Sequence, residues 1–177
     1  MSKVSEKTEN SKDEENVEKT ESTENAELAG KTVKNYMWFS MGAGLIPIPF
    51  LDLAAISGLQ LKMIAELCKR YETPFKEENG KAVIAALLGF IVPESLSRGL
   101  MGSLLKAIPI VGPIAGGLSM PLFTGASTYA IGNLFIRHFE SGGTLLNMDP
   151  QKMRDHFKEE FENGKKVAEE VGAKLKS

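Results

Sequence analysis

Apolar side chains recur at helical spacing through most of the chain after residue 25, whereas the two-residue alternation of a β-strand is not sustained anywhere. Apolar residues three or four positions apart form one face of an α-helix. Helix start signals accompany this pattern, with Asp52 and Asp149 at positions typical of N-caps. The sequence therefore predicts an all-α protein, a small helical domain of about five to six helices.

The predicted helices follow one another with short breaks rich in Gly and Pro. Similar residues close the second helix (Lys69 to Glu72) and the apolar segment that ends at Arg137 to Glu140, and a Pro-containing helix start follows each. This weak internal repeat indicates two similar helical hairpins packed together. The predicted helices run from Ala26 to about Met41, from Asp52 to about Arg70, from Thr73 and Pro74 to Pro93, and over about residues 149–165, where the last one is amphipathic.

The first 25 residues have a different composition from the rest. They are mostly Glu, Lys, Ser, Thr and Asn, and residues 1–30 carry 4 Lys against 9 Asp and Glu. Such a segment cannot bury enough apolar surface to offset the entropy of ordering. We therefore expect a disordered acidic tail over residues 1–25 and a single helical domain over residues 26–177. Since the tail has neither the basic start nor the apolar run of a secretory peptide, export by that route is not expected.

A run of 30 residues without Asp, Glu, Lys or Arg, residues 107–136, is the most informative segment. A membrane-spanning helix needs about 20 such residues and a two-span hairpin about 40. Because Pro109, Pro113 and Pro121 interrupt a regular helix, a kinked span or a shallow re-entrant hairpin fits best. The residues expected to contact the membrane or to pack the hairpin are Ile108, Ile110, Val111, Gly112, Ile114, Gly116, Leu118, Leu122 and Phe123.

A second charge-free tract covers residues 35–51 and is also broken by Gly and Pro. Extending it into a full span would bury Asp52, which costs about 2.5 to 3.5 kcal/mol at the bilayer centre, so an interfacial or core position is expected. Both tracts have the alternative of forming a buried hairpin in a soluble helical domain. We favour membrane contact for residues 107–136, because so small a domain has little protein to cover them.

Candidate chemistry is sparse. One cysteine and two histidines leave no metal-ligand cluster, and a net charge of -2 argues against a nucleic-acid binder. Gly30, Lys31 and Thr32 mimic the end of a phosphate-binding loop, but Asn25 occupies the position of its first glycine. His138, at a helix end, is expected to have a surface or capping role. We therefore expect no catalytic, cofactor-binding or metal-binding residues and no enzymatic activity.

Several segments together resemble a known family. They are Gly44 to Pro49 with Asp52, Gln60 to Ile64, Ala107 to Gly112, and Phe135 to Thr144, and the similarity covers about residues 30–165. They resemble the YcjF-type domain of unknown function that is associated with bacterial GTPases. The resemblance implies a helical, often membrane-associated module that is fused to, or made alongside, a Ras-like or dynamin-like GTPase. Because this chain has no G domain, the implied GTPase would act in trans.

These observations predict a non-enzymatic, membrane-associated helical module that serves as an accessory or anchor for a GTPase. Its expected place is the bacterial inner membrane, with its helices in the cytoplasm. Membrane lipid is the expected partner, nucleic acid is not, and self-association is left open. Two alternatives stay open at this point: a pore-forming or membrane-perturbing helical protein, and a soluble helical interaction domain.

Overall fold

All regular structure in the described residues is α-helical. The computed structural model describes residues 3–43, 51–91 and 120–174, and the surroundings of side chains within 19–42, 56–91 and 121–171. The predicted all-α class is confirmed. A short segment was also predicted after the third helix, from Glu94 to Lys106, and it lies outside the described residues. The five helices in the described ranges are α1 (Lys3–Ala43), α2 (Leu51–Arg70), α3 (Glu77–Gly89), α4 (Met120–Glu140) and α5 (Arg154–Lys174).

Helix α1 includes the acidic segment that the sequence predicted to be a tail. The backbone of this segment is helical from Lys3, and its side chains from Lys19 to Asn25 are exposed. Glu and Lys are good helix formers, so a helical backbone here does not require a core. Burial in α1 begins at Ala29 and continues every four residues through Val33 and on to Met41. This second half of α1 belongs to the core.

Helix α4 lies at the centre of the bundle, with α1, α2 and α5 packed around it. It is antiparallel to α1, because Ser40 lies beside Thr124 while Val33 lies beside Gly132. It is parallel to α2. Gln60 contacts Ser127, and Tyr71, which directly follows the last residue of α2, contacts Phe139. The related ends of the two predicted hairpins therefore meet, with the Tyr71 and Phe139 rings 5.6 Å apart.

Residues 107–136 are predicted to form a kinked span or a re-entrant hairpin, and the structure describes residues 120–136 of this segment, so the hairpin stays a prediction. Residues 120–136 belong to one continuous helix. Pro121 does not break this helix because it lies in the first turn, where the missing N–H would have no partner in the helix. The side chains of residues 124–128 are all buried, and so are those of residues 134–136. Residues 107–119 lie outside the described residues.

The third helix starts later than predicted. Thr73 and Pro74 were expected to begin it, but α3 begins at Glu77. The intervening residues complete the end of α2: the Thr73 N–H donates to the Cys68 carbonyl at 2.9 Å, and Glu72 adopts a positive φ of 52°. A residue in this left-handed region ends a helix, so the chain must turn before α3 can start.

The turn between α4 and α5 is organised by His138. Its Nε2 lies 3.0 Å from the Thr144 carbonyl oxygen and 3.0 Å from Asn147 Oδ1. Since both partners accept hydrogen bonds, this nitrogen carries the proton. Gly142 has a φ of 76°, and Gly143 lies so close to the His138 ring that a side chain would not fit. His138 thus binds the turn that follows α4.

The C-terminal helix is shifted relative to the prediction of residues 149–165. Asp149 Oδ1 accepts a hydrogen bond from the Gln151 N–H at 3.0 Å, so Asp149 caps a turn that precedes α5. The helix itself begins at Arg154 and continues through Gly164 to Lys174. Gly164 does not interrupt it because this position packs directly against α4. Beyond it, Ala168 is buried and prolongs the apolar face.

Candidate functional site

The end of α1, the start of α2 and the start of α4 lie at the same end of the bundle. Ser40, near the end of α1, contacts Thr124, near the start of α4. Gln60 of α2 contacts Thr128, and Leu51 precedes Gln60 by about 13 Å of helix in the direction of the start of α4. We call this the apolar end of the bundle and define it by the terminal residues Ala43, Leu51 and Met120.

Two large aromatic side chains are exposed on α1 next to the apolar end. The exposed fraction is 42% for Trp38 and 69% for Phe39. They belong to the outward face of α1, which also carries the exposed Lys31 and Lys34. No acidic or basic residue follows Lys34 in α1. The outward face therefore changes from charged to aromatic within about two helical turns of the apolar end.

Behind this face, small residues let three helices approach closely. A Cβ built on Gly125 would lie 2.5 Å from Met41 Cγ of α1 and 3.5 Å from Ala168 Cβ of α5. A Cβ on Gly164 would lie 2.7 Å from the Ala126 carbonyl oxygen. Close approach over small residues is common between membrane helices, where packing must replace the hydrophobic effect. Here the same device joins α4 to both of its neighbours.

Buried hydroxyl groups connect the same helices. Thr124 Oγ1 donates to the Ser40 carbonyl at 3.0 Å, and Ser40 Oγ donates to the Thr124 carbonyl at 3.3 Å. Gln60 Nε2 donates to Ser127 Oγ and Thr128 Oγ1, both at 3.3 Å. Because these side chains are buried, the hydrogen bonds offset the cost of removing their polar groups from water.

One atom of this polar cluster lacks a partner among the described residues. Gln60 Oε1 is buried and accepts no hydrogen bond there. A buried amide oxygen without a donor costs about 1 to 3 kcal/mol, so the cluster is not fully satisfied by the described helices. Gln60 lies about 13 Å of helix from Leu51, on the side of α2 that contacts α4.

The predicted membrane-contacting or packing residues divide into two groups. Leu122 is partly buried against the cluster of Met37, Met41 and Ala168. Phe123 is also partly buried, and its ring lies 5.8 Å from that of Phe161 in an edge-on arrangement. Both therefore contact protein on at least one side. Ile108, Ile110, Val111, Gly112, Ile114, Gly116 and Leu118 lie outside the described residues.

The exposed aromatic pair was missed by sequence reasoning. Phe39 is one of the apolar residues of the first predicted helix, together with Val33 and Met37, and nothing in the sequence singles out Trp38 from them. The structure buries Val33 and Met37 but leaves Phe39 exposed. Helical spacing carries this signal, because positions 33 and 37 are four apart and share a face, whereas residue 39 follows Met37 by only two.

Burial is the main cause of the pKa shifts of one cysteine and two tyrosines. Burial raises the pKa of the Cys68 thiol. Burial, followed by the neighbouring Glu140, raises the pKa of Tyr71 to about 12, and burial with Glu66 raises that of Tyr36 to the same value. In the part of the chain that the structure describes, no three His, Cys, Asp or Glu side chains are grouped so as to hold a metal ion.

A helix that crosses a bilayer must be both long and apolar. Within residues 3–43, 51–91 and 120–174, no helix combines the length and the apolar character that crossing a bilayer requires. Helix α4 comes nearest in composition, because it carries no charged residue before Arg137.

The sequence profile of a family described as "Domain of unknown function (DUF697)" matches residues 9–166. The chain belongs to this family. The expected membership of a family of domains of unknown function is thus confirmed, whereas the association of this chain with a GTPase stays a prediction. A curated relative is "Magnetosome membrane protein 22" from Magnetospirillum gryphiswaldense, which is 39% identical over 147 residues, covering 83% of this chain and 75% of the relative. No solved structure matches the chain significantly.

Proposed function

We propose that this protein is a non-enzymatic, membrane-associated helical module. The observation that carries the proposal is that Ala43, Leu51 and Met120, which belong to or adjoin the two charge-free tracts, lie together at the apolar end of the bundle, next to the exposed Trp38 and Phe39. The name of the 39% identical relative, a magnetosome membrane protein, supports a membrane association of the same kind.

The polar exterior of the rest of the bundle supports attachment at one end. Helix α5 carries exposed charges of both signs along its length, for example Arg154, Glu159, Lys166 and Glu170. A mixed charge pattern is typical of a helix face in water and not of a basic face that lies on a membrane. We infer that α5 faces the aqueous side while the apolar end faces lipid.

Cell fractionation tests this proposal. Full-length protein is expected in the membrane pellet after a high-salt wash, because apolar contacts are not screened by salt. Extraction by alkaline carbonate then distinguishes a peripheral attachment, which is released, from an embedded one, which is retained. Recovery of the full-length protein in the soluble fraction before any wash would contradict the proposal.

We further propose that the module is an accessory or anchor for a GTPase acting in trans, at the bacterial inner membrane with the helices in the cytoplasm. The support is the family resemblance of the sequence, and the aqueous face of α5 is the surface available to such a partner. Co-purification from native membranes followed by mass spectrometry is expected to recover a GTPase. Repeated recovery of the protein without any GTPase would argue against this part of the proposal alone.

A pore-forming or membrane-perturbing role is the second candidate. It is favoured by the buried position of the charge-free part of α4, surrounded by α1, α2 and α5, because such a helix could be released to insert. Dye release from liposomes separates the two functions. A passive module is expected to bind the liposomes without releasing their contents, whereas a pore-forming protein would release them in proportion to its concentration.

A further inference from the structure

We infer that the outward face of α1 from Lys31 to Phe39 is the surface that contacts the lipid interface, with Trp38 and Phe39 in the acyl boundary and Lys34 at the headgroups. This inference rests on the proposed function and adds to it the contact residues and the side of the bundle that meets the bilayer. A lipid bilayer is the occupant to which it commits.

The order of side chains along α1 matches the order of layers in a bilayer interface. Lys31 and Lys34 precede the aromatic pair, and the exposed face carries no charge beyond it. Lys34 and Phe39 are separated by about 7 Å along the helix axis, which suits a headgroup contact next to a shallow aromatic contact. Trp is enriched at membrane interfaces because one end of its ring system is apolar and the other carries an N–H donor.

The exposed aromatic pair, Trp38 and Phe39, lies within the second charge-free tract of the sequence. Residues 35–51 contain no Asp, Glu, Lys or Arg, and Trp38 and Phe39 are the exposed large apolar side chains that belong to this tract within the described residues. A surface that binds a soluble protein usually carries charged side chains around its apolar centre, which pair with charges of the partner. The absence of Asp, Glu, Lys and Arg from the described part of α1 after Lys34 instead favours lipid as the occupant of this surface.

Charges on α5 determine which side of the bundle meets the membrane. Ala168 packs in one cluster with Met37 and Met41, so this part of α5 lies level with the aromatic pair of α1. Around Ala168, α5 exposes Lys166, Glu169 and Glu170. Inserting the whole apolar end would bury these charges, so the contact must be one-sided, through α1, with α5 left in water.

Trp38 is the single tryptophan of the chain and reports directly on this contact. The full chain is mixed with vesicles of equimolar phosphatidylcholine and phosphatidylglycerol, and vesicle flotation is measured beside tryptophan emission. We expect the emission to shift to shorter wavelength on binding and to be quenched by brominated phosphatidylcholine. Phe39→Ser is expected to weaken vesicle binding about tenfold, by removal of one large apolar contact.

Leu146→Ser is the matched control, because Leu146 is also exposed, at 47%, but lies in the turn between α4 and α5. It should bind vesicles like the unmodified protein. Equal weakening by both substitutions would overturn the inference, and so would flotation without a change in Trp38 emission, which leaves the proposed function intact. Emission that is already shifted without vesicles and depends on protein concentration would overturn it in favour of a second copy of the chain. Failure to float would overturn the proposed function and this inference together.

Discussion

The central helix α4 and the last turns of α1 are both rich in apolar residues, yet their surroundings differ. Helix α4 has no charged residue before Arg137 and is covered by α1, α2 and α5. The end of α1 is a shorter apolar stretch, but two of its aromatic rings face outward. Apolar composition alone therefore does not identify a lipid-contacting surface. The useful signal is an apolar side chain that the rest of the bundle leaves uncovered.

The largest effect should come from removing one aromatic ring on each side of this comparison. Phe135 of α4 is fully buried and packs against Phe139 with ring centroids 5.6 Å apart. Phe135→Ala is expected to lower the free energy of unfolding by about 3 to 5 kcal/mol, because it leaves a cavity. Phe39→Ala should change it by about 0.5 kcal/mol or less, since this ring is exposed. Urea unfolding followed by circular dichroism measures both.

The outcome for Phe39 can break the comparison. A loss of stability close to that of Phe135→Ala would mean that the Phe39 ring is covered by protein, and the end of α1 would then not be an open surface. A small loss together with weaker vesicle binding would separate the two roles of aromatic residues in this chain.

A smaller effect is expected from widening the contact between α4 and α5. Gly164→Ala places a Cβ 2.7 Å from the Ala126 carbonyl oxygen and 3.0 Å from its Cα, and backbone atoms cannot move aside locally. The two helices must separate, so we expect a loss of about 1 to 3 kcal/mol in the free energy of unfolding. Thermal unfolding of the purified protein provides the measurement.

The matched control for that substitution is Gly58→Ala in α2. No described atom lies within 4 Å of a Cβ at Gly58, and the residue is exposed. Alanine favours a helix more than glycine by about 1 kcal/mol, so this variant should be slightly more stable than the natural protein. If both variants gained stability, the cover over α4 would be looser than the structure indicates.

The sequence was sufficient to predict the helices but not their neighbours. The spacing of Val33 and Met37 lies within a single helix, where local rules apply. The N-cap prediction for Asp52 was wrong by a short distance, because α2 begins at Leu51 and Asp52 is its second residue. The burial of residues 120–136 depends on their contacts with α1 and α5, which are tertiary contacts between separate helices. Small residues such as Gly125 and Gly164 make those contacts possible, and spacing patterns do not reveal which partner will approach them.

The candidate site was predictable only in part, for the same reason. The charge-free run drew attention to Leu122 and Phe123, whose described surroundings are protein. Trp38 belongs to the charge-free tract of residues 35–51, but the lack of charge does not show which side chains of the tract are exposed. Its exposure is decided by the side of α1 that packs on α4, which is a tertiary property.

The smallest expected effect concerns the other end of α4, where Tyr71 covers its last turn. The Tyr71 hydroxyl donates to Glu140 Oε1 at 3.2 Å, and burial together with this carboxylate raises the pKa of Tyr71 to about 12 from an ordinary value of 10.0. The folded state thus favours the neutral phenol. The stabilisation is present below pH 10 and is lost as the pH rises through about 12. Tyr71→Phe removes this titration, so its stability should fall less than that of the natural protein between pH 9 and pH 12, by no more than about 1 kcal/mol for a solvent-screened pair. Urea unfolding at the two pH values measures this difference. Identical losses in both proteins would mean that Tyr71 is open to water, and the cover over α4 would then end before Phe139.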